Sequence, residues 1–343
     1  MNQRLCFASD NASGAHPNVV EAIARANHDY ALAYGNDQYS QRVAEKICQA
    51  FECDAEVLFT FGGTGANVVG LSSVTSSFEA IFCSDCSHIW SDECAAPQKF
   101  IGGKIVPITS EQGKIKPQDI AASLGPDRGV HHARPKVVSL TQPTELGTLY
   151  TISELEALAN FCQEHGLVLH VDGARFANAA AALELSLAQL SHQVGVDVLS
   201  FGATKNGALG AEAVIFFKPE LAATSGFMRK QATQLPSKMR FIAAQFDALL
   251  TDDLWLKNAE HANAMATLLA TACGANDIEL LVPQQINALF PILEPQVIEK
   301  LQRDCDFYVW DEHHHVARWM TSFDTTSSEI DRFGALIRAA INT

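Results

Sequence analysis

The stretch of residues 166–210 constrains the fold more than any other part of this chain. It contains two apolar runs typical of buried strands, residues 167–171 and 196–200, with a helical segment between them. The first run ends at Asp172, and the second leads into a glycine-rich turn that carries Lys205. In open α/β sheets, ligands bind outside the carboxyl ends of the strands. Asp172 and Lys205 are therefore predicted to lie at a ligand-binding site.

An acid and a lysine at neighbouring strand ends suggest pyridoxal 5'-phosphate (PLP). This cofactor needs a lysine to hold its aldehyde as a Schiff base. It also needs an acid beside its pyridine nitrogen, which keeps that nitrogen protonated and makes the ring an electron sink. Taken alone, Asp172 and Lys205 could equally be a helix cap and an exposed charge, since charged residues are mostly exposed. The interpretation therefore depends on the rest of the chain.

A second strand, turn and helix start lie at residues 57–68, where the turn reads Thr-Phe-Gly-Gly-Thr-Gly-Ala-Asn. Free N–H groups and the positive end of the helix dipole make such a turn a cradle for phosphate. The turn lacks the Gly-Lys-Ser/Thr of nucleotide P-loops. Val68 stands at the third glycine position of the dinucleotide fingerprint, which disfavours a nicotinamide dehydrogenase. A cradle for one phosphate monoester remains, beside the alternative of an ordinary glycine-rich turn.

The order of strands and helices predicts two domains. Strands and helices alternate through residues 1–250, which predicts a large α/β domain with a mostly parallel sheet covered on both faces. Its clearest helix, residues 151–165, begins with the capping box Thr151-x-x-Glu154. Residues 251–343 alternate short strands and helices after a long helical link. We expect them to form a small C-terminal α+β domain that closes over one end of the large one.

The composition excludes several classes of partner. A formal net charge of −15 argues against nucleic acid and acidic membranes, and no apolar run is long enough to span a bilayer. The start of the chain shows no pattern of a secretory signal peptide. The nine cysteines are scattered along the chain, which is typical of reduced thiols, so a cytoplasmic protein is expected. Cys83-x-x-Cys86 has no second pair at zinc-site spacing, and we expect packed thiols and no metal there.

The order of these motifs resembles that of aspartate-aminotransferase-like (fold type I) PLP enzymes. Within them, the sequence resembles the low-specificity L-threonine aldolases of the β-eliminating lyase family, over essentially the whole chain. The most specific parts are His-Val-Asp-Gly-Ala-Arg at 170–175 and Gly-Thr-Gly-Ala-Asn at 63–67. Ser9-Asp10 and Tyr-Gly-Asn-Asp at 34–37 also match. Many relatives have Ser-Lys-Gly at the lysine, where this chain has Thr-Lys-Asn-Gly at 204–207, so the preferred substrate is left open.

The resemblance implies a role in cofactor binding for several residues. Lys205 would form the Schiff base, Asp172 would pair with the pyridine nitrogen, and Arg175 would lie near the ring hydroxyl and the substrate. His88 matches the histidine stacked on the ring. The residues expected to hold the phosphate are Gly63, Thr64 and Gly65.

The resemblance also implies how substrate is bound and cleaved. Arg318 matches the small-domain arginine that binds the substrate carboxylate, with Ser9 helping. His88 or His131, a second histidine of the family pattern, would act as base, and His88 is preferred. The implied substrates are β-hydroxy amino acids such as L-threonine, L-allo-threonine and phenylserine, cleaved to glycine and an aldehyde. A homodimer or homotetramer is implied as well.

Two alternatives stay open at this point. The first is another PLP-dependent lyase or racemase acting on small amino acids, including a serine hydroxymethyl-type activity. The second is a PLP-fold protein that only binds or regulates. The presence of Lys205, Asp172 and Arg318 together argues against the second alternative.

Overall fold

A computed structural model describes residues 4–126 and 129–342, so part of the N-terminal stretch considered above for a targeting signal lies outside the described residues. The strands are β1 (Leu5–Cys6), β2 (Glu56–Thr60), β3 (Glu79–Ser84), β4 (Lys104–Ile108), β5 (Arg134–Thr141), β6 (Val168–Gly173), β7 (Val198–Gly202), β8 (Glu212–Phe216), β9 (Ala288–Leu289), β10 (Cys305–Asp306), β11 (Tyr308–Asp311) and β12 (Val316–Met320). The α-helices are α1 (Pro17–Arg25), α2 (Gln38–Ala50), α3 (Gly63–Val74), α4 (His88–Ser91), α5 (Ala96–Ile101), α6 (Pro117–Leu124), α7 (Ile152–Glu164), α8 (Phe176–Leu183), α9 (Ser225–Gln231), α10 (Arg240–Leu249), α11 (Leu254–Gly274), α12 (Pro295–Leu301) and α13 (Ser327–Ile341).

The large sheet has seven strands in the order β2-β8-β7-β6-β5-β3-β4. The pairs from β7 to β4 are all parallel, whereas β8 runs antiparallel to both of its neighbours, β7 and β2. The prediction of a mostly parallel sheet is confirmed. Strand β8 is the exception because only residues 203–211 separate it from β7, fewer than the dozen or so that a parallel crossover needs.

Both faces of this sheet are covered, as expected for parallel strands. Successive residues of β7 serve opposite faces: Leu199 and Phe201 pack into the cluster that contains residues of α7 and α8, and Val198 packs into the cluster that contains residues of α3. Because the strands are buried on both sides, they read as continuous apolar runs in the sequence. That is why residues 167–171 and 196–200 could be recognised.

Capping side chains decide where two of the covering helices begin. The predicted capping box is present: Thr151 Oγ1 accepts from the Glu154 backbone N–H, and the Thr151 N–H donates to Glu154. Helix α2 begins at Gln38 because Asp37 caps it, accepting a hydrogen bond from the Ser40 N–H at 2.7 Å.

The C-terminal part contains a three-stranded antiparallel sheet, β11-β12-β9, packed with α11, α12 and α13. The N-terminal strand β1 pairs in parallel with β10, and Leu5 and Phe7 lie in the same hydrophobic cluster as Trp319 and Phe333. The start of the chain therefore packs on the C-terminal unit before it reaches the large sheet. A division of the chain at residue 250 stays a prediction. Within residues 4–126 and 129–342, none of the helices has the length and apolar character needed to cross a membrane.

Candidate active site

The candidate site lies at the carboxyl edge of the large sheet. The strand register places Thr141, Asp172 and Ser200 side by side near the ends of β5, β6 and β7. Lys205 follows three residues after β7, in a short 3-10 turn. The turn can lie close to β6 because a Cβ at Gly202 would be only 2.6 Å from the Ala174 carbonyl oxygen. The sequence prediction that Asp172 and Lys205 meet at one edge agrees with this placement.

Asp172 is a buried carboxylate with two fixed hydrogen bonds. Its Oδ1 accepts from the Ala174 backbone N–H at 3.0 Å, and its Oδ2 accepts from the Asn67 side-chain amide at 2.6 Å. No cation among the described residues forms an ion pair with it. The carboxylate is therefore held rigidly while its charge is left for another group.

Lys205 is half-buried, and its amine has no hydrogen-bond or ion-pair partner among residues 4–126 and 129–342. Burial and, next, the charge of Arg175 lower its pKa. Glu212 lies nearby on β8 and accepts a hydrogen bond from the Ala203 N–H at 3.1 Å. Burial raises the pKa of Glu212 to about 7. A lysine whose pKa is lowered is neutral more often at working pH, and so is a better nucleophile.

The glycine-rich turn opens into helix α3, which begins at Gly63 after Gly62 with φ of 83°. The first N–H groups of a helix have no partner within it and can bind an anion. A Cβ at Gly63 would meet nothing within 4 Å, so space is available beside these groups. Gly65, in contrast, faces the Gln234 side chain, which a Cβ there would strike, and Gln234 accepts from the Phe61 N–H at 2.8 Å. The turn fits a phosphate monoester.

His88 begins the short helix α4, four residues after the end of β3. Its Nδ1 lies 2.8 Å from Oε1 of the buried Glu93, and its backbone N–H donates to Glu145 at 2.8 Å. The hydrogen bond with Glu93 raises the pKa of His88 above its ordinary value, against the opposing effect of burial. Burial raises the pKa of Glu145 to about 7. Two acids thus hold the ring and the backbone of His88.

Arg175 is tied to the N-terminal segment. Its Nε and Nη2 donate to the two carboxylate oxygens of Asp10 at 2.6 and 2.9 Å, and Asn287 also donates to Asp10 at 3.2 Å. Burial would raise the pKa of Asp10, but the charge and hydrogen bonds of Arg175 outweigh it and hold that pKa below its usual value. Arg175 also contacts the sulfur of Met320 on β12, so it joins the two parts of the molecule at the site.

Arg318 reaches the site from β12. Its Nη2 donates to the Ala8 carbonyl at 3.1 Å, and its guanidinium lies 5.2 and 5.7 Å from the ring centres of Tyr308 and Trp310. Its Nε is buried without a hydrogen-bond partner. Burial and then the charge of Arg175 lower the pKa of Arg318. Two guanidinium groups near each other, one with a free donor, favour a bound carboxylate.

The two remaining predicted residues, Ser9 and His131, differ in how close they lie to the site. Ser9 caps a 3-10 turn through the Asn11 N–H, and its hydroxyl lies 3.3 Å from Asp10, so it stands next to the Arg175 pair. His131 is exposed in the turn before β5, at the amino end of that strand, whereas the site lies at the carboxyl ends. Within one chain, the structure therefore does not bring His131 into the site.

Taken together, these observations fit PLP. A lysine amine with no partner among the described residues, a buried carboxylate that forms no ion pair with any of them and an open helix start match the aldehyde, the pyridine nitrogen and the phosphate of that cofactor. The described residues contain no group of three or more His, Cys, Asp or Glu side chains arranged to hold a metal ion.

Comparison with known proteins gives the family. The model of the family described as beta-eliminating lyase matches residues 7–294. The chain belongs to the beta-eliminating lyase family. The low specificity L-threonine aldolase of Pseudomonas aeruginosa is 43% identical over 335 residues, which cover 97% of this chain and 96% of that protein. The resemblance noted in the sequence is thereby confirmed.

Solved structures agree with this family. The threonine aldolase of Leishmania major matches with a TM-score of 0.94 and 33% identity, covering 98% of this chain and 99% of that one. The aspartate aminotransferase of Thermus thermophilus matches with a TM-score of 0.71 and 16% identity, covering 98% and 91%, which shows the fold alone. The predicted fold type I architecture is confirmed. PLP is the cofactor of this family and fold.

The site also contains acids that the sequence did not single out, Glu93, Glu145 and Glu212. Glu93 is five residues from His88, whereas Glu145 comes from a distant loop and Glu212 from β8. Asn67 was quoted only as part of the glycine-rich turn. Its place near the start of α3 was a usable signal, because this end of the helix faces the same sheet edge as Asp172.

Proposed function

We propose that this chain is a PLP-dependent aldolase that cleaves L-threonine and L-allo-threonine, and phenylserine-type β-hydroxy amino acids, to glycine and an aldehyde. The observation that carries the proposal is the meeting of Asp172, Lys205 and the open turn at Gly63 at one sheet edge, beside Arg175 and Arg318. The names of the relatives at 43% and 33% identity support it. The same cofactor chemistry also serves other lyases and racemases, and the test below separates them.

In this proposal, bound PLP supplies the electron sink for the electrons of the Cα–Cβ bond. Lys205 binds the cofactor aldehyde, Asp172 faces the pyridine nitrogen, and Gly63, Thr64 and Gly65 hold the phosphate. Lys205 can act as a nucleophile because its pKa is lowered. Asp172 can keep a pyridine nitrogen protonated because it is a buried carboxylate that forms no ion pair with any of the described residues.

The substrate is held by its carboxylate. Arg318 can donate a two-pronged hydrogen bond from a fixed position, since its guanidinium lies close to two aromatic rings and one of its nitrogens is bonded to the Ala8 carbonyl. Arg175 and Ser9 lie beside it and complete the polar wall. Fixing the carboxylate and the amine at once leaves only one orientation for the Cα–Cβ bond. Such positioning contributes several kcal/mol, with roughly 7–11 as the ceiling.

The base that takes the β-hydroxyl proton is proposed to be His88. Its Nδ1 is occupied by Glu93, so Nε2 is the nitrogen left to accept a proton. The hydroxyl proton passes to His88, the Cα–Cβ bond breaks, aldehyde leaves, and Cα gains a proton to give glycine. His131 is not given this role, because it lies at the opposite edge of the sheet.

Aldehyde release tests the proposal. Purified protein with added PLP is given L-threonine, L-allo-threonine or L-phenylserine, beside Lys205→Ala and the exposed-lysine control Lys116→Ala. We expect stoichiometric aldehyde and glycine from the wild type and Lys116→Ala, and none from Lys205→Ala. Aldehyde from Lys205→Ala at the wild-type rate would remove the lysine from the mechanism. Cofactor binding without aldehyde would point to elimination or racemisation.

A homo-oligomer, dimer or tetramer, is also proposed. Tyr30, Leu32 and Phe227 expose most of their apolar surface, which is typical of a protein–protein interface. Sedimentation equilibrium tests this, and a single species of 37.1 kDa would contradict it. A cytoplasmic location stays a proposal, supported by nine cysteines that are all free.

A further inference from the structure

One buried amide connects the two halves of the candidate site. Asn67, the fifth residue of α3, is 1% exposed. Its Nδ2 donates to Oδ2 of Asp172 at 2.6 Å and to Oε1 of Glu93 at 2.8 Å. The same Glu93 oxygen lies 2.8 Å from Nδ1 of His88. A continuous row of hydrogen bonds thus runs from Asp172 through Asn67 and Glu93 to His88.

The hydrogens of this row can be assigned. A side-chain amide nitrogen carries two hydrogens, and Asn67 uses one for each acid. A proton on Oε1 of Glu93 would weaken it as the acceptor for Asn67. The hydrogen between Glu93 and His88 therefore belongs to Nδ1 of His88, which leaves Nε2 with its lone pair free.

The amide also separates two like charges. Asp172 and Glu93 each place one oxygen within hydrogen-bond distance of the same nitrogen, so the two carboxylates are close neighbours in a buried region. Without a donor between them, the charged forms would repel and at least one would be disfavoured. Each acid would then be free to turn away from its present partner.

We propose that Asn67 is a positioning residue that sets both ends of the site. Through Glu93 it fixes the tautomer of His88, and directly it holds the Asp172 carboxylate in the orientation that faces the cofactor. This rests on the part of the proposed function that concerns PLP binding, not on which amino acid is cleaved. The two ends of the site are therefore coupled: a change at Glu93 reaches the Asp172 carboxylate through Asn67, in addition to its direct effect on His88.

Other titratable groups also act on His88 and Asp172, and none of them is changed in the variants compared below. Those that act electrostatically on His88 or Asp172 are Lys205, Glu145, Glu212 and His170. All of them are present in every variant below. A difference between backgrounds is therefore caused by the row of hydrogen bonds through Asn67.

The test is a double-mutant cycle between Glu93→Gln and Asn67→Leu, which removes both donors at similar size. Asn67→Ser is the second variant, because a hydroxyl has one hydrogen and can serve only one acid. Asn178→Leu is the matched control. Asn178 is also a buried asparagine, but its side-chain Nδ2 donates to Asn263, between α8 and α11, and takes no part in the row from Asp172 to His88.

The first readout needs no substrate. The dissociation constant of PLP and the pH titration of the bound-cofactor absorbance are measured for each variant. We expect Asn67→Leu to weaken PLP binding about 10- to 100-fold, the range for a lost hydrogen bond to a charged group. We expect Glu93→Gln to shift the absorbance titration more in the wild-type background than in the Asn67→Leu or Asn67→Ser background, because only the effect that passes through Asn67 is removed.

The second readout is the pH profile of kcat/KM for aldehyde release. The acid limb of this profile should move in Asn67→Leu and stay in place in Asn178→Leu. In Asn67→Leu, the fold reduction of kcat should exceed the fold increase of KM. Two results would overturn the proposal. One is an absorbance shift from Glu93→Gln that is equally large in the Asn67 variants. The other is an Asn67→Leu protein that binds PLP as tightly as Asn178→Leu does. If the wild-type protein binds PLP but releases no aldehyde, the proposed function is refuted. The role of Asn67 is still tested in that case, because the first readout measures PLP binding and needs no substrate.

Discussion

The buried ion pair between Asp10 and Arg175 allows a prediction with a defined magnitude. Asp10→Asn keeps the size of the side chain but removes the charge that both guanidinium hydrogen bonds use. The Asp10 side chain is 0% exposed and that of Arg175 is 17% exposed, so water cannot replace the lost partner. Breaking one side of such a pair costs about 3–5 kcal/mol. We therefore expect a loss of unfolding free energy in that range.

The chain offers a matched control for this change. Arg4 and Asp306 also join the N-terminal segment to another part of the molecule, at 2.8 Å, but their side chains are 48% and 54% exposed. Exposed pairs contribute about 0–1 kcal/mol. Asp306→Asn should therefore cost no more than about 1 kcal/mol.

The assay is urea unfolding of the PLP-saturated protein, followed by tryptophan fluorescence. Trp319 is fully buried beside the N-terminal segment and reports on the unit that Asp10 helps to anchor. Equal, small losses in Asp10→Asn and Asp306→Asn would refute the reasoning. That result would mean that burial does not strengthen the Asp10–Arg175 pair.

Three further predictions follow from the site and its surroundings. Arg318→Lys should raise KM for the amino acid about 10- to 100-fold with a smaller change in kcat, because a lysine cannot reproduce the two-pronged bond; an unchanged KM in steady-state assays would remove Arg318 from the carboxylate site. Glu93→Gln should move the acid limb of kcat/KM to lower pH, because Glu93 raises the pKa of His88 and its loss lowers it; a limb that stays in place would mean that His88 is not the titrating base. His170 is buried between Ser139 and Ser200, and burial lowers its pKa to about 4. The folded protein therefore binds a proton at His170 less readily than the unfolded chain, in which the pKa is about 6.5. The stability that neutral His170 contributes, about 3 kcal/mol, is present above pH 6.5 and is lost as pH falls from 6.5 towards 4. His170→Gln should lack this slope in urea midpoints measured across that range, and a slope equal to that of the wild type would contradict the assignment.

The sequence allowed the central part of the fold to be predicted because its signals are local. Strands β6 and β7 are continuous apolar runs, and the helix start at Gly63 follows a strand and a glycine-rich turn. Each of these patterns depends on residues next to one another in the chain. Asp172 and Lys205 could be placed at one edge because parallel strands end at the same side of a sheet.

Features that depend on distant residues could not be predicted in this way. Strand β1 pairs with β10, and only this contact shows that the start of the chain packs on the C-terminal unit. The acids around His88 come from different loops, and no spacing in the sequence indicates that Glu145 lies under its backbone. His131 was named only because it matches the family pattern, and it precedes β5 at the amino end of the strand, far from the edge where Asp172 lies.

The net charge of −15 and the cations of the site act over different distances. Net charge governs long-range attraction and repulsion, which salt screens over about 8 Å at physiological ionic strength. Lys205, Arg175 and Arg318 act over shorter distances and in a region that water enters poorly. A zwitterionic amino acid has little net charge to be repelled at long range, so its binding depends on these local cations. The acidic surface that argues against nucleic acid as a partner is therefore compatible with a pocket that holds a carboxylate and a phosphate.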